Sequence, residues 1–186
     1  DCYAVAKAVF RDQTLLNVGS ERITLMGDSA GGNIAAVLCQ MARDRGDFTP
    51  RNQILIYPCT NNDYSPSCPF RSVHENGTDY LLTRQNMEDY LELYASCEED
   101  RRNPYFAPLL AADFSNLPRA LVITGEFDPL RDEGEAYARN MQEAGVEVIH
   151  HRIKDAIHGF FLLEPVYPPV RETYDYINEF LKGETQ

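Results

Sequence analysis

Three residues that are far apart in the chain have the types and order to do nucleophilic chemistry together. Gly27-Asp28-Ser29-Ala30-Gly31 fits the pattern GxSxG. A serine hydroxyl is a weak nucleophile at neutral pH, so it needs a tight turn to present it, a base to take its proton and an acid to orient that base. The glycines answer the first need. A nucleophile on a very tight turn holds a strained backbone, and its neighbours must be small if strand and helix are to approach. Such a turn lifts the hydroxyl above a sheet, at the N-terminus of a helix whose free N–H groups and dipole favour a developing negative charge. As a bare pattern the same residues are only a glycine-rich loop, and a strand before with a helix after separates the two readings.

The chain has four histidines to supply the base. In a sheet that carries its nucleophile on a strand-to-helix turn, the partners follow in the order serine, acid, histidine. His158, followed by Gly159, lies after the last expected strand and after every candidate acid. His74 falls in a long irregular stretch, and His150 and His151 sit at an expected strand end, so ordinary polar or core roles are expected for these three. Among the acids, Asp128 in Gly125-Glu126-Phe127-Asp128-Pro129-Leu130 stands just beyond the carboxyl end of a strand. Open α/β sheets place their sites at that end. Glu126, Asp132 and Asp155 compete with it. Asp132 also suits capping the free N–H groups of the following helix, and Asp155 suits the end of the last strand.

The elements that must position these residues alternate along the chain. Apolar runs at 22–26, 53–57, 120–124 and 146–150 read as buried strands, and helical patterns occupy 33–45, 131–144 and 170–182. The alternation implies a mainly parallel sheet with helices on both faces. Residues 61–118 break it with Pro, Asn and Ser clusters, a helix-like segment at 83–96 and the acidic run Glu98-Glu99-Asp100. An interruption of that length is more often functional than a plain connection, and it is read as a cap or lid over the carboxyl edge of the sheet. The chain is thus expected to be one domain over 1–186, with 61–118 containing the cap. It opens on an amphipathic helix, Cys2, Val5, Ala6 and Val9 sharing a face, and an upstream portion is expected to be missing.

Composition narrows the partners. At 44% hydrophobic the 186 residues can build one core, and a net charge of −12 argues against a protein that neutralises phosphate backbones. Nucleic acid is therefore not an expected partner. The five cysteines are scattered and form no CxxC pair or metal-ligand cluster, which suits reduced thiols in a cytoplasmic protein. No apolar run approaches the roughly 20 residues needed to span a bilayer.

Read together, Gly27-Asp28-Ser29-Ala30-Gly31-Gly32-Asn33, Asp128-Pro129-Leu130-Arg131-Asp132-Glu133-Gly134 and His158-Gly159-Phe160 resemble the hormone-sensitive-lipase-like branch of the α/β-hydrolases, which includes many bacterial carboxylesterases. Tyr80-Leu81-Leu82-Thr83 and Pro108-Leu109-Leu110-Ala111 look like segments that run through and after the cap of that family. The resemblance implies an α/β-hydrolase fold and cleavage of carboxylic esters of short to medium acyl chain through an acyl-enzyme. Ser29 would be the nucleophile, His158 the base and Asp128 the orienting acid, with no metal or organic cofactor. One departure stands out. The family carries an HGGG-type loop upstream of the nucleophile that builds most of the oxyanion hole, and nothing among the residues before Ser29 resembles it. Only the backbone N–H of Ala30 can be assigned to that hole here. The first strands of the family's sheet are absent too, so the strand at 22–26 is expected to leave one edge bare, open to a second copy or to an upstream segment. A small-molecule-binding protein on the same fold, or an inactive fragment, are the rival readings.

Overall fold

The computed structural model describes residues 1–12, 14 and 17–183. The apolar runs become four parallel strands, β1 (Thr24–Asp28), β2 (Asn52–Ile56), β3 (Arg119–Phe127) and β4 (Val148–Ile157), in the order β1-β2-β3-β4. The middle strands are apolar on both sides because helices cover both. All five residues of β2 are buried. Leu55, Ala120 and Val122 face one layer, built from α2 (Ala30–Arg45) and α5 (Arg131–Glu143) through Ala35, Ala36, Cys39, Tyr137, Ala138 and Met141. Ile54, Ile56, Leu121 and Ile123 face the other, where α6 (Pro168–Lys182) contributes Val170, Ile177 and Phe180. This is the side-chain alternation of a strand, used to fill two cores at once.

Helix ends follow local chemistry. α2 stops at Gly46, which takes a left-handed conformation at φ 62°, and α6 opens on Pro168, whose missing N–H costs nothing at that position. The first helix, α1 (Cys2–Arg11), packs Ala6 and Phe10 against Leu38, Ala42 and Phe48.

Residues 61–118 hold two helices, α3 (Arg71–Asn76) and α4 (Arg84–Tyr94), and two short 3₁₀ turns. Their own core joins Tyr64, Val73, Leu82, Met87, Leu91 and Phe106 to Leu130 beside the sheet. α3 was not expected, since six residues are too few for a helical period to register.

Strand limits also differ from expectation. β1 begins later and runs through Gly27 to Asp28, and β4 begins at Val148 and continues past His150 and His151 to Ile157. Asp155 therefore lies within β4 and does not end it. Among the described residues β4 pairs only with β3, and its residues Arg152, Lys154 and Asp155 are exposed, so a half-solvated edge strand carries no continuous apolar signature. Among the described residues no helix is long and apolar enough to cross a membrane.

Candidate active site

Ser29 sits between β1 and α2 at φ 52° and ψ −119°, a conformation costing a non-glycine residue on the order of 1 to 3 kcal/mol. The turn survives because neighbours hold it. The Ser29 N–H donates to the Ile56 carbonyl (2.9 Å), and its own carbonyl accepts the N–H groups of Asn33 (3.0 Å) and Cys59 (3.2 Å). A Cβ at Gly27 would strike the Gly31 carbonyl, and one at Gly32 would come within 2.9 Å of Pro58. These two positions accept no side chain at so close an approach of strand and helix. The buried Asn33 amide donates to the Cys59 and Phe106 carbonyls, both at 2.9 Å, and ties the turn to the wall of the pocket.

The structure brings Ser29, His158 and Asp128 into one chain of hydrogen bonds. His158 Nε2 lies 2.9 Å from Ser29 Oγ, and His158 Nδ1 lies 2.8 Å from Asp128 Oδ2. Asp128 is fully buried and also accepts the Leu130 N–H at 2.8 Å, while Asn76 holds its backbone carbonyl at 3.2 Å. β3 delivers Asp128, and β4 delivers His158. Ala30 opens α2, where a backbone N–H has no partner within the helix, and it lines the pocket beside Ser29.

The competing acids and histidines are engaged elsewhere. Asp132 accepts the Ser72 N–H (2.7 Å) and the Arg131 guanidinium (2.8 Å), and the carboxylate of Glu126 accepts the Asp155 N–H (2.9 Å). His74 bonds the Cys68 carbonyl, His150 meets the Thr124 hydroxyl at 3.1 Å, and His151 stacks on Tyr176 with centroids 3.5 Å apart.

Above Ser29 opens a cavity of about 410 Å³. Its floor is Ser29, Ala30 and His158, and its walls are largely apolar, with Leu82, Met87, Tyr90, Leu91, Tyr94 and Phe106 coming from 61–118. Cys59 also lines it, but burial and the nearby Glu133 carboxylate push its thiol up to about 12, so it stays protonated and does not compete as a nucleophile.

Two residues near the site escaped the sequence reading. Glu133, fully buried in the first turn of α5, accepts the N–H groups of Thr60 (2.6 Å) and Asn61 (3.1 Å) and the Tyr64 hydroxyl (3.0 Å) through Oε1. Its Oε2 has no partner, and burial raises its carboxyl to about 8 against an ordinary 4.5. Tyr57 packs against His158, and it too lies in a conformation unusual for its type. Nothing marks Glu133 in the sequence beyond its place in the Asp128 motif, and Tyr57 reads there only as the end of a strand.

A parallel sheet with helices on both faces and a serine lifted on a strand-to-helix turn at its carboxyl edge is the architecture of an α/β-hydrolase. The chain belongs to that family: the profile described as alpha/beta hydrolase fold matches residues 1–162. It is 37% identical to ethyl acetate hydrolase of Pseudomonas putida over 168 residues, covering 90% of this chain and 52% of that protein. It is 37% identical to an arylesterase of Saccharolobus solfataricus, covering 78% of this chain and 46% of the relative. Among solved structures, a hyperthermophilic esterase from the archaeon Pyrobaculum calidifontis superposes with a TM-score of 0.90 at 40% identity, over 98% of this chain and 59% of that one. The chain thus spans about half the length of the curated relatives it matches.

Proposed function

We propose that the chain is the catalytic part of a serine ester hydrolase. The observation that carries this reading is the continuous Ser29–His158–Asp128 hydrogen-bond chain at the foot of an apolar pocket. Ser29 Oγ attacks the ester carbonyl carbon as its proton passes to His158 Nε2, and the carbonyl electrons move onto oxygen. The tetrahedral adduct collapses, the carbon–oxygen bond to the alcohol breaks, and His158 returns the proton to the departing oxygen. Water then repeats the sequence on the acyl-enzyme, losing a proton to His158 and releasing the acid with Ser29 restored. Asp128 orients His158 and stabilises its charged form, and the Ala30 N–H donates to the developing oxyanion. The steps close on protein groups, substrate and water.

The preferred substrates are carboxylic esters of short to medium acyl chain, in keeping with the cavity of about 410 Å³ and the names of the relatives. The segment 61–118 acts as a cap whose apolar side chains bind the part of the ester that does not react. The cysteines among the described residues are all free, which fits the reducing cytoplasm. Among the described residues β1 pairs on one side only, with β2, which further suits pairing with a second copy or another segment.

A fluorophosphonate probe tests the core of the proposal, since it reacts only with an activated serine. The wild-type chain is expected to label at Ser29 and to turn over p-nitrophenyl butyrate slowly, since only the Ala30 N–H is assigned to the oxyanion hole, and S29A to do neither. No labelling of the wild type would point to a small-molecule-binding protein on the same fold or an inactive fragment, and equal labelling of wild type and S29A would remove Ser29 as the nucleophile.

A further inference from the structure

The segment that follows β2 passes between the nucleophile turn and the histidine loop, and its first residue is placed to hold both. Tyr57 is 1% exposed and sits at φ 35°, a left-handed conformation that is costly for an aromatic residue. Strain of this kind persists only where the surroundings impose it, and here they do. The Tyr57 N–H donates to the Ile123 carbonyl at 2.6 Å, while the residue before it and the residue two positions after it grip Ser29: the Ile56 carbonyl takes the Ser29 N–H, and the Cys59 N–H reaches the Ser29 carbonyl.

That backbone turns the Tyr57 side chain toward the reacting groups. Its ring packs against the His158 imidazole with centroids 4.8 Å apart and planes at 58°, and it also meets the ring of Phe160 in the same loop, at 5.4 Å and 72°. Its hydroxyl donates to Asp28 Oδ2 at 3.3 Å, on the residue immediately before the nucleophile. Burial and the Asp28 carboxylate push the phenol up, so it remains a donor across the working pH range. Asp128 fixes one nitrogen of His158, but the bond from the other nitrogen to Ser29 is the one the reaction makes and breaks, so during turnover the imidazole can swing about the Asp128 contact. A wall on the ring face removes that freedom.

We propose that Tyr57 is a positioning residue for the reaction, its ring forming the wall that keeps His158 Nε2 on Ser29 and its hydroxyl locking that wall to the nucleophile turn through Asp28. This rests on the assignment of Ser29 and His158 given above. Tyr57 is not among the residues that line the cavity above Ser29, so its loss should lower turnover without weakening substrate binding. Misplacing a catalytic group by an ångström can cost about 10²-fold, which sets the scale expected for removing the ring.

The experiment compares wild type, Y57F, Y57L, S29A and H158A in p-nitrophenyl butyrate turnover and fluorophosphonate labelling, with thermal melts of each. Y57L is expected to lose about ten- to a hundredfold in kcat and in labelling rate while KM stays within about twofold of wild type. Y57F, which keeps the ring and drops the hydroxyl, should lose only about two- to tenfold in kcat at wild-type KM, less than Y57L. Wild-type kcat in Y57L would overturn the proposal, as would a loss confined to KM or an equal loss in Y57F and Y57L. Should Y57L melt below the assay temperature, Y57F decides alone: a two- to tenfold lower kcat at wild-type KM supports the role, and wild-type kcat overturns it. If S29A and H158A matched wild type in every readout, the reading of the site itself would fail, a pattern no effect of Tyr57 can mimic.

Discussion

At the scale of single residues the site combines two carboxylates in unlike surroundings. Asp128 is buried but saturated, with His158 on one oxygen and the Leu130 N–H on the other. D128N keeps the shape yet presents an amide where an acceptor is required, so the histidine loses its orientation. Turnover is expected to fall on the order of 10⁴-fold with the melting temperature nearly unchanged, and a loss under tenfold would remove Asp128 from the proposed role. Glu133 differs because one of its oxygens is buried without a partner. With its carboxyl raised to about 8 from an ordinary 4.5, the folded chain binds more protons than the unfolded chain between those values. Its contribution to stability is complete below the lower value and is lost as pH rises through the upper one. The melting temperature should therefore decline across that interval in wild type and decline less in E133Q. Parallel curves for the two proteins would show that Glu133 does not titrate there.

At the scale of elements, α4 does two jobs with opposite faces. Its start is secured by a reciprocal cap: the Thr83 hydroxyl accepts the Asn86 N–H at 3.1 Å, and Asn86 Oδ1 accepts the Thr83 N–H at 3.1 Å. Met87 and Leu91, one turn apart, then point into the pocket, while Leu93 is 84% exposed. T83A should cost about 0.5 to 2 kcal/mol, concentrated in this helix, because an N-terminal donor loses its acceptor. Faster hydrogen exchange in Arg84–Tyr94 and a raised KM for butyrate esters, with kcat little changed, are the expected signs. A kcat loss at constant KM would mean that α4 bears on the chemistry and not on binding. β3 is the contrasting case, since it lies between β2 and β4 with both faces covered. L121A should cost about 2 to 5 kcal/mol in denaturant unfolding, the range for a buried leucine whose cavity cannot collapse. Less than 1 kcal/mol would imply that this layer repacks freely.

At the scale of the whole molecule, the sheet has two edges of different character. β4 carries Arg152, Lys154 and Asp155 as exposed charges along its outer half, side chains that discourage pairing with another sheet. β1 exposes Met26 at 49% and, among the described residues, hydrogen-bonds only to β2. The 186-residue chain by itself should therefore associate through β1, and M26K should shift it toward monomer in sedimentation velocity by placing a charge on that edge. A monomeric wild type at tens of micromolar, or unchanged association in M26K, would exclude β1 as the contact.

What the sequence by itself determined was local and periodic. The glycines around Ser29 announce a tight turn because only small residues allow strand and helix to approach there, and the runs at 53–57 and 120–124 announce buried strands because Ile54-Leu55-Ile56 and Ala120-Leu121-Val122-Ile123 are unbroken apolar stretches. The parallel α/β architecture follows from these, since alternating elements admit few topologies. Tertiary structure decided what depends on contacts between distant residues. β4 extends through His150, His151 and Asp155 because an edge strand is chosen by its neighbour's hydrogen bonds, and its own pattern of polar and apolar residues does not reveal them. The strain at Tyr57 and its packing on His158 arise where the ends of β1, β2 and β3 meet, and no sequence interval encodes a φ of 35°. Glu133 reads as one more acid at a helix start until folding buries it against Thr60, Asn61 and Tyr64. Residue type and spacing record what a segment prefers, whereas desolvation and strain exist only once the segments have been brought together.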